Sequence, residues 1–512
     1  MRATLRLLAG LAALSLAACA SLGPRPELPA RSALPVGEDT TLDRLMGEAE
    51  AQHPGASGFR LMSEGPESFA VRAHTAAIAG RSLDVQTYIW HGDTTGGFLV
   101  YRLLEAADRG VKVRLLVDDM DARQHNYSFA ALAAHPNIEV RMFNPFKSRV
   151  GGLSFLFEAM GSFSRINRRM HNKTWIADNR LAVVGGRNLG DEYFGASDEV
   201  NFSDLDFAMV GPVVRDASAS FDRYWNSPLA YPMDVLAPHD VTPAALAALR
   251  EKGRTAVEQA ETSRYTDDLR NNDAVHQLVE GHWPMNWTER FRFVSDDPLK
   301  ALGKGGGING SQVLELLGPM VKASHEKLTV ISPYFVPGPV ATKGLVEVAR
   351  TGSDVRILTN SLAANDVAMV YGAYTEWREP LLKGGVRLWE LKPTRGNAAK
   401  SSLFGSKGAS LHTKALTVDG LRTFVGSYNL DPRSTALNCE QGVFVEEPAI
   451  AAQLEAIFGR ESSGERAWQV TQQDGKTVWS DGTSTHDSAP EASTWRRFQA
   501  WLARALGLSS QL

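Results

Sequence analysis

The sequence predicts an α/β protein of two pseudo-symmetric halves, each a mixed sheet flanked by helices, packed face to face with one site at their interface. Three observations predict it. Strand-like and helix-like runs alternate, as in Leu104–Asp119 (LEAADRGVKVRLLVDD) and Val346–Ser361 (VEVARTGSDVRILTNS), which favours βαβ units and parallel pairing. The stretch Met170–Asp191 (MHNKTWIADNRLAVVGGRNLGD) returns as Leu411–Asp431 (LHTKALTVDGLRTFVGSYNLD). The opening of each half repeats as well, FRLMSEGP from Phe59 and FRFVSDDP from Phe291.

Taken in order, the chain begins with Arg2 and Arg6 before an apolar run, Leu7 to Ala18, too short to span a bilayer comfortably and flanked as an export signal is. It ends in Leu16-Ala17-Ala18-Cys19, which resembles a bacterial lipobox. Residues 1–19 are therefore expected to be a lipoprotein signal with Cys19 as the lipidated residue, leaving an exported, membrane-anchored chain that faces the periplasm. Ala20, standing where an Asp would, favours the outer membrane by analogy; an uncleaved anchor helix is the alternative. Residues 20–58 read as a Pro, Ala and Ser-rich tether with a short helix at Thr40–Ala51.

The first half, 59–237, should run helix Glu67–Ala79, strand Ser82–Trp90, a helix ended by Gly110, buried strand Val111–Val117 and a strand from Ile138. Residues 150–163 (VGGLSFLFEAMGSF) interrupt it, as a buried helix over the sheet or as an apolar lip. Arg165, Arg168 and Arg169 follow, as a solvated basic turn or as an attractor of anions. Residues 238–290 read as a charged helical insertion. The second half, 291–460, repeats the scheme with helix Gly310–His325, strand Lys327–Phe335, Gly352, and strands Val355–Thr359 and from Val386. Lys304-Gly305-Gly306-Gly307 lacks the residue order of a phosphate loop and reads as a plain loop. Residues 461–512 suggest a hairpin, Trp468–Val470 with Thr477–Trp479, and an amphipathic helix at Thr494–Leu506. Its Trp495, Phe498, Trp501, Leu502 and Leu506 recur at helical spacing and are expected to pack on the domain, with a peripheral membrane face as the alternative.

The repeated stretch carries the chemistry. His171, Lys173, Asp178 and Asn188 recur as His412, Lys414, Asp419 and Asn429, each displaced by 241 residues. Residues two apart share a strand face, so each His and Lys should project together. Asp178-Asn179-Arg180 and Asp419-Gly420 read as hairpin turns, and Gly185-Gly186 and Gly426-Ser427 as the tight turns that bring each Asn back towards its pair. An imidazole, an ammonium and an amide from each half suit a phosphate diester. Lys173, Lys414, Asn188 and Asn429 can hold its non-bridging oxygens, while one histidine attacks phosphorus and the other protonates the leaving oxygen. Asp178 and Asp419 occupy positions where Asp is favoured for its own backbone bonding.

These residues resemble the duplicated histidine-lysine-aspartate motif of the phospholipase D superfamily, and the resemblance extends over nearly all of the chain after residue 58. The wording MHNKTWIADNRLAVVGGRNLGDEYFGA, FSDLDFAMVGPVV and GSYNLDPRSTALNCE is similar to bacterial cardiolipin synthases, in particular the cardiolipin synthase C-like branch. The resemblance implies two phospholipase D-like halves and places His171, Lys173, Asp178, His412, Lys414 and Asp419 in the catalytic motif, His171 as nucleophile. It also implies an acidic residue that orients each histidine. Asp204 and Glu440 fit that position, each eight residues before a proline, Pro212 and Pro448, with Glu199 as an alternative to Asp204.

The implied activity is phosphatidyl transfer from phosphatidylglycerol or another phospholipid, phosphatidylethanolamine included, to the hydroxyl of a second phospholipid at a membrane surface. Hydrolysis to phosphatidic acid, a nuclease-type phosphodiesterase and a non-enzymatic anionic-lipid-binding lipoprotein are the alternatives. A net charge of −4 lacks the basic field of a nucleic-acid binder, so no nucleic acid is expected. Neither motif has the clustered ligands of zinc or magnesium, so no metal and no cofactor are expected. With Cys19 lipidated, Cys439 stands alone and reads as core.

Overall fold

The computed structural model describes residues 25–122, 126–146, 167–260, 263–280, 283–308, 310–393 and 411–506. The leader with Cys19, the apolar stretch 150–163 and Arg165 lie outside the described residues.

Two large mixed sheets form the molecule. The first contains β1 (Ser57–Met62), β2 (Ser82–Thr87), β3 (Lys112–Asp118), β4 (Ile138–Phe143), β5 (Thr174–Ala177), β6 (Leu181–Gly185), β7 (Asp206–Val210), β8 (Ala230–Pro232) and β9 (Asn286–Thr288). The second contains β10 (Phe291–Ser295), β11 (Lys327–Ile331), β12 (Asp354–Asn360), β13 (Arg387–Leu391), β14 (Ala415–Val418), β15 (Arg422–Gly426), β16 (Gln441–Glu446), β17 (Ala467–Gln473), β18 (Lys476–Ser480) and β19 (Thr485–His486). Their orders are β8-β4-β3-β2-β5-β6-β7-β1-β9 and β10-β16-β15-β14-β11-β12-β13-β17-β18-β19. The run β1-β7-β6-β5-β2-β3-β4 thus has the same connectivity as β10-β16-β15-β14-β11-β12-β13. In each half the crossovers through helices give parallel pairs, β2 with β3 and β3 with β4, β11 with β12 and β12 with β13, while the motif strands pair antiparallel.

Each motif hairpin turns through two left-handed residues, Asp178 (φ 51°) and Asn179 (φ 56°) in the first half, Asp419 (φ 52°) and Gly420 (φ 62°) in the second. That geometry matches the twist of the flanking strands, and Asp, Asn and Gly tolerate it best. The strands are buried on both faces, so they read as continuous apolar runs.

One core cluster joins residues of both sheets, with Ile176, Val184 and Phe207 from the first packing with Val425, Val443 and Val445 from the second. The helices Pro212–Trp225 and Pro448–Glu461 contribute Phe221, Trp225, Ile450 and Leu454 to this shared layer. Two further cores lie under the outer helices, one for each half.

The ends differ from the sequence expectation. Strand β9, from the expected insertion, pairs with β1, and the helix Pro243–Ala260 supplies Ala245 and Leu249 to the first core. The C-terminal hairpin continues the second sheet beyond β13. Among the described residues no helix is long and apolar enough to cross a membrane.

Candidate active site

The site forms where the segments before β5 and β14 meet across the seam. His171 and His412 lie just ahead of their strands, and each is pinned by the opposite half. The His171 N–H donates to the Cys439 carbonyl at 2.9 Å and the His412 N–H to the Ser203 carbonyl at 2.8 Å. Isolated bridges, Met170 with Cys439 and Ser203 with Leu411, complete the exchange.

The carboxylates cross as well. Glu440 of the second half accepts from Nδ1 of His171 at 2.9 Å, and Asp204 of the first half accepts from Nδ1 of His412 at 2.6 Å. Both carboxylates are buried, and Glu440 is further held by the Ser427 and Ser434 hydroxyls. A proton kept on Nδ1 leaves the Nε2 lone pair of each imidazole free. Gly186 permits this arrangement, since a Cβ there would lie 2.2 Å from Oδ1 of Asp204. Ser427 occupies the matching position in the second half and uses its hydroxyl to bind Glu440. Glu199, the alternative to Asp204, is exposed.

Lys173 and Lys414 are almost completely buried, and each Nζ donates to the carbonyl of its own histidine, Lys173 at 2.6 Å. Burial lowers the pKa of His171 to about 4; Glu440 opposes this, and the Lys173 and Lys414 charges add to it. Burial likewise lowers His412 to about 4, reinforced by Lys414 and by Lys173 and opposed by Asp204. Each imidazole therefore feels the ammonium of the other motif as well as its own, in keeping with the crossed backbone bridges that join the two motifs. Lys414 falls to about 8 through burial, and Lys173 well below the ordinary lysine value for the same reason. Burial works to raise Glu440, but the charges of His171 and Lys173 prevail and hold it below the usual range.

The structure does not bring all the expected residues to this space. Asp178 is fully buried at the far end of β5 and accepts from the N–H groups of Gly80, Arg81 and Ser82 at 2.8–2.9 Å. Asp419 does the same for His325, Glu326 and Lys327. Seven residues of extended chain, roughly 20 Å, separate each from its histidine, so both clamp the start of the neighbouring strand and take no part in the pocket. Asn188 reaches the site with its amide engaged, Oδ1 accepting from Ile89 N–H at 3.3 Å and Nδ2 donating to the Tyr193 hydroxyl at 2.9 Å. Asn429 is buried with Oδ1 unpartnered among the described residues. Arg169 is buried against the Phe146 ring and paired with Asp118, and Arg168 binds the Lys300 and Ala436 carbonyls, so neither forms a free basic turn.

Sequence reasoning missed the aromatic walls. Tyr88 meets His171 edge-on at 5.1 Å with the Lys173 ammonium 5.2 Å from its ring centroid, and Tyr193 and Phe202 flank His412 at 5.3 and 5.5 Å. Burial, with Asp118 nearby, pushes the Tyr88 phenol up to about 12, so it remains a hydrogen-bond donor at neutral pH. None of the three belongs to a repeated position, so the duplication gave no signal for them.

Beside the pocket, His91, Asp93 and Glu192 lie close enough together to hold a cation. Their atoms already serve the protein: His91 Nδ1 pairs with Glu192 at 2.9 Å, and Asp93 caps the helix Thr94–Asp108. A cavity of about 380 Å³ adjoins them, lined in part by Trp90, Phe129 and Leu249, and it lies to one side of the histidines. Cys439 is buried, its thiol pushed up to about 12 by that burial, and is a core residue.

Paired imidazoles with free Nε2 atoms, two buried ammonium groups and a duplicated α/β frame define an enzyme of the phospholipase D type. The chain belongs to the family described as cardiolipin synthase, PLD-like domain, which it matches over residues 74–225 and 317–461, and so is a phospholipid-modifying enzyme of that type. It is 39% identical over 467 residues to cardiolipin synthase C of Escherichia coli, covering 89% of this chain and 96% of that one. It is 30% identical over 476 residues to an uncharacterized protein of Helicobacter pylori, covering 91% and 92%. In fold it is similar to the crystal structure of phosphatidylserine synthase from Haemophilus influenzae, with a TM-score of 0.55, 14% identity and coverage of 91% and 97%.

Proposed function

We propose that this protein is a phosphatidyltransferase that makes cardiolipin from phosphatidylglycerol and a second phospholipid through a phosphohistidine. The observation that carries the reading is the crossed orientation of the two imidazoles, each held at Nδ1 by the carboxylate of the opposite half. Its likeness to cardiolipin synthase C of Escherichia coli supports the choice of product.

In the first step Nε2 of His171 attacks phosphorus, the bond from phosphorus to the headgroup oxygen breaks, and His412 delivers a proton to that oxygen. The arriving diester, an anion, raises the proton affinity of His412, and Asp204 stabilises the imidazolium. In the second step neutral His412 takes the proton of an acceptor hydroxyl, that oxygen attacks phosphorus, and the P–N bond breaks to restore His171. Lys173, Lys414 and the amide of Asn429 stabilise charge on the non-bridging oxygens. No metal is assigned a part. The assignment of His171 rather than His412 as nucleophile follows the superfamily's order of motifs.

The chain acts, on this reading, as an exported lipoprotein anchored through Cys19 and facing the periplasm, supported by the lipobox wording of Leu16–Cys19. The test is lipid mass spectrometry of purified protein with defined phosphatidylglycerol and phosphatidylethanolamine vesicles, wild type beside His171→Ala. Cardiolipin with a released headgroup is expected from the wild type alone. Phosphatidic acid as the sole product would make the enzyme a hydrolase, and activity surviving in His171→Ala would end the mechanism.

A further inference from the structure

The C-terminal helix Thr494–Ala505 packs on the helix Ala368–Lys383 through its small residues, not its aromatic ones. Ala500 and Ala503 are buried, and the Ala500 carbonyl lies 2.3 Å from where a Cβ on Gly372 would sit, so the absence of a side chain there lets the two backbones touch. The aromatic face points outward. Trp495, Phe498 and Trp501 are 54%, 45% and 61% exposed, and Leu506 is 62% exposed. The three rings form a ladder, with centroids 5.5 Å apart between Trp495 and Phe498 and 5.9 Å between Phe498 and Trp501. The expectation that this face packs on the domain is thereby overturned for Trp495, Phe498, Trp501 and Leu506, while Leu502 is half-buried.

We propose that this aromatic ladder is a docking surface for an anionic phospholipid bilayer, one that brings the rim of the histidine pocket onto the lipid. Three observations select that occupant. Contiguous exposed aromatic surface marks an interaction face, and Trp beside Arg is the composition of helices that lie at a membrane interface. From residue 492 to residue 512 the sequence holds Arg496, Arg497 and Arg504 and no Asp or Glu, in a chain whose net charge is −4. A second copy meeting this face about a two-fold axis would bring its own Arg497 and Arg504 against this basic, acid-free surface, whereas anionic headgroups complement it.

The third observation is continuity with the site. Arg496 donates to the carbonyls of Leu362 and Asn365, in the loop that leaves the carboxyl end of β12. That loop borders the pocket: Asn360 donates to the Leu411 carbonyl, next to His412, at 3.0 Å, and Asp366 accepts from Tyr334 and raises the pKa of Lys414. The first turn of the helix is thus tied to the pocket's rim, where ligands of such sheets enter.

The proposal rests on the lipid reading above for its occupant, and its test is separable from that reading. The full chain carrying Cys19→Ser and Trp501→Cys, so that neither a thiol nor a lipid at residue 19 contributes, is labelled with a polarity-sensitive fluorophore, the Cys19→Ser chain being labelled in parallel as a blank because Cys439 is buried. On phosphatidylglycerol-containing vesicles the emission should shift to the blue and iodide quenching should fall at least threefold, with neither change on phosphatidylcholine vesicles. A label as quenchable on anionic vesicles as in buffer would overturn the proposal. So would protection in vesicle-free buffer that grows with protein concentration, the mark of a second copy. In a second arm, Trp495→Ala/Phe498→Ala/Trp501→Ala should lower turnover of vesicle substrate about tenfold and leave turnover of monomeric short-chain phosphatidylglycerol intact; equal loss on both substrates would make the face structural and overturn the proposal. The label reports docking without any turnover, so a chain that docks yet makes no cardiolipin retires the catalytic reading alone.

Discussion

Glu440→Gln isolates the crossed carboxylate from everything else in the site. The side chain is fully buried and accepts from Nδ1 of His171 at 2.9 Å and from the Ser434 hydroxyl at 2.9 Å, with Ser427 as a third donor. Glutamine has nearly the same volume and can keep one serine contact, so the fold should persist. What disappears is a charge-assisted hydrogen bond to an imidazole that becomes positively charged as it bonds to phosphorus, a loss of about 2–3 kcal/mol. At 25 °C that is a factor of about 30 to 150 in kcat. A glutamine that turns its NH₂ group towards Nδ1 would place the imidazole proton on Nε2, the attacking atom. The loss would then approach the ten-thousandfold, or about 10⁴, seen when the triad carboxylate of a serine protease becomes an amide. The assay is headgroup release from saturating phosphatidylglycerol vesicles, with thermal unfolding of the same samples as the control. A variant within threefold of wild-type kcat at unchanged Tm would refute the orienting role of Glu440.

Three further outcomes follow from the same geometry. The pH profile of kcat/KM should be a bell centred near pH 4, because in the free enzyme His171 must be neutral to attack and His412 protonated to act as acid, and burial lowers both to about 4; a bell centred at the ordinary histidine value, about 6.5, would show that burial does not control the pair. Asp178→Ala should destabilise the chain by about 3 kcal/mol in urea unfolding, because three backbone N–H groups lose their acceptor, while kcat of the folded fraction stays within threefold. Gly186→Ala should cost at least tenfold in kcat, because the new methyl displaces the Asp204 carboxylate from His412, and the matching change Ser427→Ala, which adds no atoms, should cost less.

Much of this was legible in the sequence because a duplication leaves a ruler. The constant interval between His171 and His412, and between Lys173 and Lys414, announced two equivalent halves, and Asp178-Asn179 and Asp419-Gly420 announced hairpins since those residues tolerate left-handed backbone. The same symmetry hid the crossing of the carboxylates. Asp204 and Glu440 hold equivalent positions, so a carboxylate serving its own half and one serving the other look alike in sequence. Asp178 and Asp419 recur as faithfully as the histidines because both strands need the same clamp; recurrence marks a shared requirement, and here that requirement is folding. The C-terminal helix shows another boundary. Spacing of Trp495, Phe498 and Trp501 defines a face but not its direction, which was decided by Ala500, Ala503 and the missing side chain of Gly372.

The central claim is that two imidazoles from opposite halves work on one phosphorus atom, and trapping the intermediate tests it most directly. Rapid quenching of the enzyme with phosphatidylglycerol, followed by peptide mass spectrometry under alkaline conditions that preserve P–N bonds, should find the phosphatidyl group on His171 within one turnover, and none in His171→Ala. Turnover at the wild-type rate with no adduct on either His171 or His412 would contradict the account.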